Sequence, residues 1–174
     1  QNLERQLFTD PAAVTSLLER YYRDQGYLAA EIDAPRFDFQ GTTARVVISV
    51  REGRRFMARS VTVSGNRVYP STDIIKQLPL VSGSPFIAAA AEHSLERIRD
   101  LYWRKGYNDM RSEYSLTIDR STSSVDVAFT IVEGRQSVVA DITVDGNRKT
   151  SERLVRGQVE LSPLQPLDLA ILAP

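Results

Sequence analysis

Few residues in this chain could carry bond-making chemistry, and none of them stands with a partner. His93 is the only histidine, and there is no cysteine, so neither a second imidazole nor a thiolate exists to build a zinc site around it. It follows Glu92 early in a helical stretch, where a solvated surface role is the simpler reading. The acidic residues are scattered singly, mostly beside basic ones. No nucleophile sits by a base, no two carboxylates are paired, and no glycine-rich loop is shaped for phosphate. Tyr21, Tyr22, Tyr102 and Trp103 fall at helical spacing, which suits packing better than base stacking. The reading is therefore of a non-enzyme with no cofactor and no metal.

Charge narrows the partners. The chain holds 22 basic and 22 acidic residues. They divide as 9 and 8 over residues 1–60, 9 and 9 over 61–136, and 4 and 5 over 137–174, so no part is basic. A nucleic-acid groove needs clustered lysine and arginine, so an RNA-binding module is disfavoured and no nucleic-acid partner is expected. No apolar run approaches the ~20 residues of a membrane span. No leader peptide is legible, and the chain opens on Gln1, as an excised or processed fragment would.

What remains is the backbone and the elements that present it. Val61-Thr62-Val63-Ser64-Gly65-Asn66-Arg67 and Ile142-Thr143-Val144-Asp145-Gly146-Asn147-Arg148 are one motif seen twice, 81 residues apart. Each reads as a short β-branched strand that stops at a Gly-Asn turn. Val50-Arg51-Glu52-Gly53 matches Ile131-Val132-Glu133-Gly134 at the same interval, and Gly26-Tyr27 matches Gly106-Tyr107 at 80. A period this long suits a small domain rather than a solenoid unit. The chain divides into an incomplete module over 1–55, a complete one over 56–136, and an incomplete one over 137–174.

Within the complete module the order is strand, helix, helix, strand, strand. Ser71 is expected to cap the first helix and Pro79 to end it. Ser84 and Pro85 give a second start signal, with a helix from about Phe86 to Lys105. Gly106 should close that helix in a left-handed conformation. Tyr114, Leu116 and Ile118 alternate with polar residues, and Val125, Val127, Phe129 and Ile131 alternate in the last strand. Two helices covering one face of a three-stranded sheet bury both apolar faces, so the class is α+β in tandem βααββ modules. In the first module, residues 10–25 read as a helix capped by Asp10. An edge strand over 28–39 is broken at Pro35, and Val46, Ile48 and Val50 alternate in the return. The third module offers a first strand at 140–146, a helix near 150–158, and Pro166-Leu167 in the place of Pro85-Phe86. The 54–60 link is too short and too poor in Gly, Ser and Pro to be a flexible tether.

With Gly65-Asn66, Gly106-Tyr107 and Glu133-Gly134 in constant order, and Gly146-Asn147, Gly26-Tyr27 and Glu52-Gly53 repeating them, the chain resembles tandem polypeptide-transport-associated (POTRA) domains of BamA-like outer-membrane assembly or secretion proteins. The resemblance implies a three-stranded mixed sheet and a periplasmic location, tethered to the outer membrane through a C-terminal barrel absent from these residues. It further implies no catalysis, capture of unfolded outer-membrane polypeptides, and contact with assembly-complex lipoproteins or periplasmic chaperones. The alternatives are a structural spacer without substrate contact and the POTRA region of a two-partner secretion transporter. The marker residues Gly65, Asn66, Gly106, Tyr107, Gly134, Gly146 and Asn147 read as turns and caps.

In POTRA-like modules the second strand lies at a sheet edge, which here makes Met110, Ser112, Tyr114, Ser115, Leu116 and Ile118 the expected polypeptide-binding strand. Unlike its first-module counterpart, this strand holds no proline. The two end pieces together contain the parts of one module, so head-to-tail self-association at high concentration is expected.

Overall fold

A computed structural model describes residues 10–41, 43–158 and 161–169. The chain opens on helix α1, Pro11–Asp24. Asp10 caps it by accepting the Ala13 N–H at 3.1 Å, and Pro11 takes the first-turn position, where no N–H is needed. Gly26 follows at φ +91°. The expected broken strand is two pieces, β1 (Glu31–Ile32) and β2 (Arg36–Gln40), with Pro35 just ahead of β2. Its return is also split, into β3 (Thr43–Val47) and β4 (Val50–Arg51). β2 pairs antiparallel with β3 from Arg36↔Val47 to Gln40↔Thr43, and β1 with β4 through Glu31↔Arg51 and Ile32↔Val50.

The middle stretch runs β5 (Met57–Ser64), α2 (Ser71–Ile75), α3 (Ala88–Trp103), β6 (Arg111–Asp119) and β7 (Ser124–Val132). The sheet order is β5-β7-β6. Partners on β5 and β7 climb together: Met57 bonds Ser123, Ser60 bonds Asp126 and Ser64 bonds Phe129, so these strands are parallel. The tight turn at 120–123 makes β6 antiparallel to β7, and the sheet is mixed. Its buried face carries Val125, Val127, Phe129 and Ile131, alternating with Asp126, Ala128, Thr130 and Val132.

Two start signals resolve differently from expectation. Ser71 is the first residue of α2, not its cap; Pro70 holds the cap position, and the Ser71 hydroxyl is spent on Asn66 and on the Val63 carbonyl. The long helix begins at Ala88, because the backbone of Ser84–Phe86 pairs with residues 56–58 instead. Residues 140–146 form no ladder, although Ile142 and Val144 keep the alternation. A strand needs a neighbour to accept its hydrogen bonds, and the described residues place none beside it. Helix α4, Glu152–Arg156, lies inside the expected 150–158.

The chain has two compact units. One comprises 1–61, 79–92 and 116–127, with Val14, Phe56, Ala58, Val61, Leu80, Phe86, Ala91, Val125 and Val127 buried. The other comprises 62–78, 93–115 and 128–174, with Ile74, Leu78, Ile98, Leu101, Tyr102, Met110, Phe129, Ile131 and Val139 buried. No helix among the described residues is long and apolar enough to cross a membrane.

Candidate functional site

The repeated markers converge on one carboxylate. Glu133 Oε1 accepts the Arg67 N–H at 2.5 Å, the Val68 N–H at 2.8 Å and the Tyr102 hydroxyl at 2.8 Å. Burial works to raise the Glu133 pKa, but the N–H groups of Val68 and Arg67 and the Tyr102 hydroxyl outweigh it and hold the group below its ordinary value. Burial first, and the hydrogen bond to Glu133 second, push the Tyr102 phenol up. Asn66 shapes the turn that supplies the two N–H groups by donating to the Tyr69 carbonyl at 2.7 Å. Gly65 is there because a Cβ would stand 2.0 Å from the Ile131 carbonyl. Gly134 rests on Asp109, and Tyr107 meets the Tyr102 ring edge-on at 6.0 Å. This cluster joins the turn, the long helix and the last strand. It exposes no reactive group.

At the matching positions earlier in the chain, Glu52 pushes the Tyr22 phenol above its ordinary pKa, and the Tyr22 ring meets that of Tyr27 at 6.0 Å, as Tyr102 meets Tyr107. In the third module, Asn147 donates to the Thr150 carbonyl at 3.0 Å, as Asn66 does to Tyr69. Glu133 and Glu52 were legible only as halves of a Glu-Gly marker. Their recurrence at 81 residues was the available signal.

A second repeated feature follows the glycine after each long helix. Gly106, at φ +77°, ends the long helix in the left-handed conformation expected of it. Its carbonyl accepts the Ser137 N–H at 2.8 Å, and the Ser137 carbonyl accepts the Leu167 N–H at 2.9 Å. The same ladder joins Gly26, Phe56 and Phe86, with both bonds at 2.9 Å. Isolated bridges Met57↔Pro85 and Val138↔Pro166 flank the two ladders. A side chain reinforces each: Arg55 Nε donates to the Gln25 carbonyl and Gln136 Nε2 to the Lys105 carbonyl, both at 2.9 Å. The expected absence of a flexible tether is here a set of paired backbones. Each ladder lies inside one compact unit.

The sheet has two edges, and they differ. Along β5, Ala58 exchanges N–H and carbonyl bonds with Ser84 and Gly83 at 2.8 and 2.7 Å. Ser82 Oγ donates to the Arg59 carbonyl at 2.6 Å, and Ser71 Oγ to the Val63 carbonyl at 3.3 Å. That edge is closed. β6 is the other edge, with nine residues and no proline. Of the expected binding residues, Ser112, Tyr114 and Leu116 lie half-buried, with the Tyr114 ring 6.0 Å from that of Phe129. Ser115 and Ile118 are exposed, and Met110 sits buried just ahead of the strand. Met110 and Ser112 line a shallow groove of about 260 Å³ with Leu95, Arg99, Trp103 and Asn108. Arg99 stacks 4.9 Å over the Trp103 ring. His93 and its neighbours form no metal-binding group among the described residues.

Residues 57–134 match the POTRA family, described as a surface antigen variable number repeat. The chain is 24% identical over 166 residues to a putative outer membrane protein assembly factor of Treponema pallidum, which covers 92% of this chain and 19% of that protein. It is 25% identical over 155 residues to the outer membrane protein assembly factor BamA of Neisseria meningitidis serogroup B, covering 87% and 19%. The chain thus spans 19% of the length of either relative. The crystal structure of Haemophilus influenzae BamA POTRA3-5 shares the fold with a TM-score of 0.59 at 19% identity, over 90% of this chain and 63% of that one. BamA of Haemophilus ducreyi lacking POTRA domains 1-3 does so at 0.51 and 22%, over 74% and 23%.

Proposed function

Since residues 57–134 form a POTRA domain, we propose that this chain is a non-catalytic periplasmic binding scaffold of an outer-membrane protein assembly or translocation factor. Its modules run 1–55, 56–136 and 137–174. It captures unfolded β-barrel polypeptides by adding them as a strand along β6. It also contacts partner subunits, either assembly lipoproteins or periplasmic chaperones. The names of the relatives support the assembly role and the location. The observation that carries strand addition is the asymmetry of the sheet. β5 has its edge covered by residues 82–86 and by Ser71, whereas β6 is long, free of proline and alternating. An extended chain gains main-chain hydrogen bonds on such an edge with little demand on its sequence.

The two ladders favour a second reading, a stiff spacer without substrate contact. One titration separates the two. An extended barrel-strand peptide added to labelled protein should shift amide resonances of residues 110–119 and leave 57–64 in place. Ser115→Pro and Leu116→Pro are then compared. One of the two loses an outward N–H, and that variant should bind on the order of tenfold more weakly while keeping its fold. Equal binding by both variants and the wild type would overturn strand addition on β6, and an absence of shifts would leave the spacer.

A further inference from the structure

We propose that β6 selects the strand it receives: the added polypeptide places an aromatic side chain beside Ser112, in the groove between β6 and helix α3. The inference rests on strand addition along β6 and asks which side chain that addition favours. The groove is built within the complete module and within one compact unit. Leu95, Arg99 and Trp103 line it from α3, at spacings of four that set them on one face of the helix. Met110, just ahead of β6, and Ser112, its second residue, line it from the other side. The gap has a cause in the sequence. Met110, Ser112 and Tyr114 fall on the same side of the strand, because strand side chains repeat every two residues. Met110 is buried and the other two are half-buried, whereas Arg111, Glu113 and Ser115 between and beyond them are exposed. Ser112 is the one short side chain in that row, so the row dips there.

The size and the lining choose the occupant. At about 260 Å³ the groove is smaller than the ~300–1,000 Å³ of a small-molecule pocket and suits a single side chain. A residue of the added strand directly opposite Ser112 has its Cβ only ~4.5–5.5 Å from that of Ser112, on the same face, so its side chain enters the groove. Leu95, Trp103 and Met110 offer apolar surface, and the Met110 thioether is a favourable neighbour for the edge of a ring. The Arg99 guanidinium lies 4.9 Å over the Trp103 ring, yet the side chain stays 46% exposed. What it leaves exposed attracts the negative face of a second ring. Leucine gains the apolar contact without the cationic one. A charged side chain is opposed whichever its sign, by Glu96 at the rim if acidic and by Arg99 if basic.

The test uses the whole chain and peptides of ~10 residues, the length of a barrel strand. They alternate threonine and valine, with phenylalanine, leucine or alanine at one central valine position. Amide resonances of residues 113–119 report strand addition, and Trp103, the only tryptophan, reports the groove by its fluorescence. The wild type should bind the phenylalanine peptide about fivefold more tightly than the leucine peptide, with the larger change in Trp103 emission. Arg99→Leu keeps an apolar stem and removes the cation, so the two peptides should then bind within about twofold of each other. Ser112→Leu fills the groove from within. Trp103 should then respond alike to all three peptides, while the amide shifts of 113–119 persist and show that the variant is folded. Amide shifts in the wild type without a preference for phenylalanine would overturn this proposal and leave strand addition standing. A Trp103 response without amide shifts would overturn strand addition, and the place of the ring with it. A phenylalanine preference that survives Ser112→Leu would put the ring elsewhere and overturn the proposal as well.

Discussion

Replacing Gly106 by alanine should cost more than its dihedral angle alone predicts. At φ +77° a Cβ carries a penalty of about 1–2 kcal/mol in itself. It would also stand 2.3 Å from the Ser137 carbonyl oxygen and 3.1 Å from the Leu167 nitrogen, both backbone atoms. Ordinary contact lies roughly 1 Å further out, so the residues of the ladder must separate. That movement breaks or stretches the Ser137 N–H bond to Gly106 and the Leu167 N–H bond to Ser137, at about 0.5–1.5 kcal/mol each. The sum is about 3 kcal/mol. Gly83 is the control: its φ is +83°, but nothing lies within 4 Å of its Cβ position, so Gly83→Ala should cost only about 1–2 kcal/mol. Urea unfolding followed by circular dichroism gives both values. Trp103, the only tryptophan and three residues from Gly106, reports on the helix end by fluorescence. Equal losses for the two variants would refute the claim that the backbone of Ser137 and Leu167, and not the dihedral alone, demands glycine at 106.

Glu133→Ala removes the acceptor of two N–H groups and of the buried Tyr102 hydroxyl, and should destabilise by about 2–4 kcal/mol; Tyr102→Phe should cost about 1 kcal/mol, and the two should be non-additive in a double-mutant cycle of unfolding energies. Asp126 is held down to about 2 by hydrogen bonds from Arg59 and then Ser60. A carboxyl depressed on folding stabilises fully above its unfolded value of ~3.9, and that contribution disappears as pH falls through the folded value. Asp126→Asn should therefore flatten the acid limb of a stability–pH curve between about 4 and 2 and leave its slope above 5 unchanged, while retention of the full acid limb would count against the assignment.

Local signals in the sequence were read well where the cause was local. Asp10 and Pro11 start α1 because cap and first turn lie within three residues, and the break at Pro35 follows from its missing N–H. The conformation of Gly106 was legible for the same reason, but its partner Ser137, 31 residues on, was not. Ser84-Pro85 carries the composition of a helix start and yet pairs with residues 56–58, because a tertiary backbone partner outcompeted the local preference. Residues 140–146 have the alternation of a strand, but alternation supplies no neighbour to bond with. The edge position of β6 came from resemblance to the POTRA domains, and the strand order β5-β7-β6 agrees with it. The closure of β5 by Ser71, Ser82 and Ser84 had no sequence signal, since a serine hydroxyl or carbonyl aimed at a distant backbone looks like any loop serine.

The paired backbones at Gly106–Ser137–Leu167 and Gly26–Phe56–Phe86 change where such a protein can be cut and rejoined. A crossover at residue 55 or 136, between the marker glycine and the next strand, would mate a ladder with strands that did not evolve beside it. A crossover in the middle of α3 leaves each ladder with its own partners, but it parts β5 from β7 and the Arg67–Val68 turn from Glu133. One boundary between the compact units falls in α3, at Glu92–His93, and others fall within β5, β6 and β7. For recombination, in nature or in design of chimeric scaffolds, neither place spares everything: a cut at 55 or 136 parts a ladder, and a cut in α3 parts the two parallel strands of the sheet.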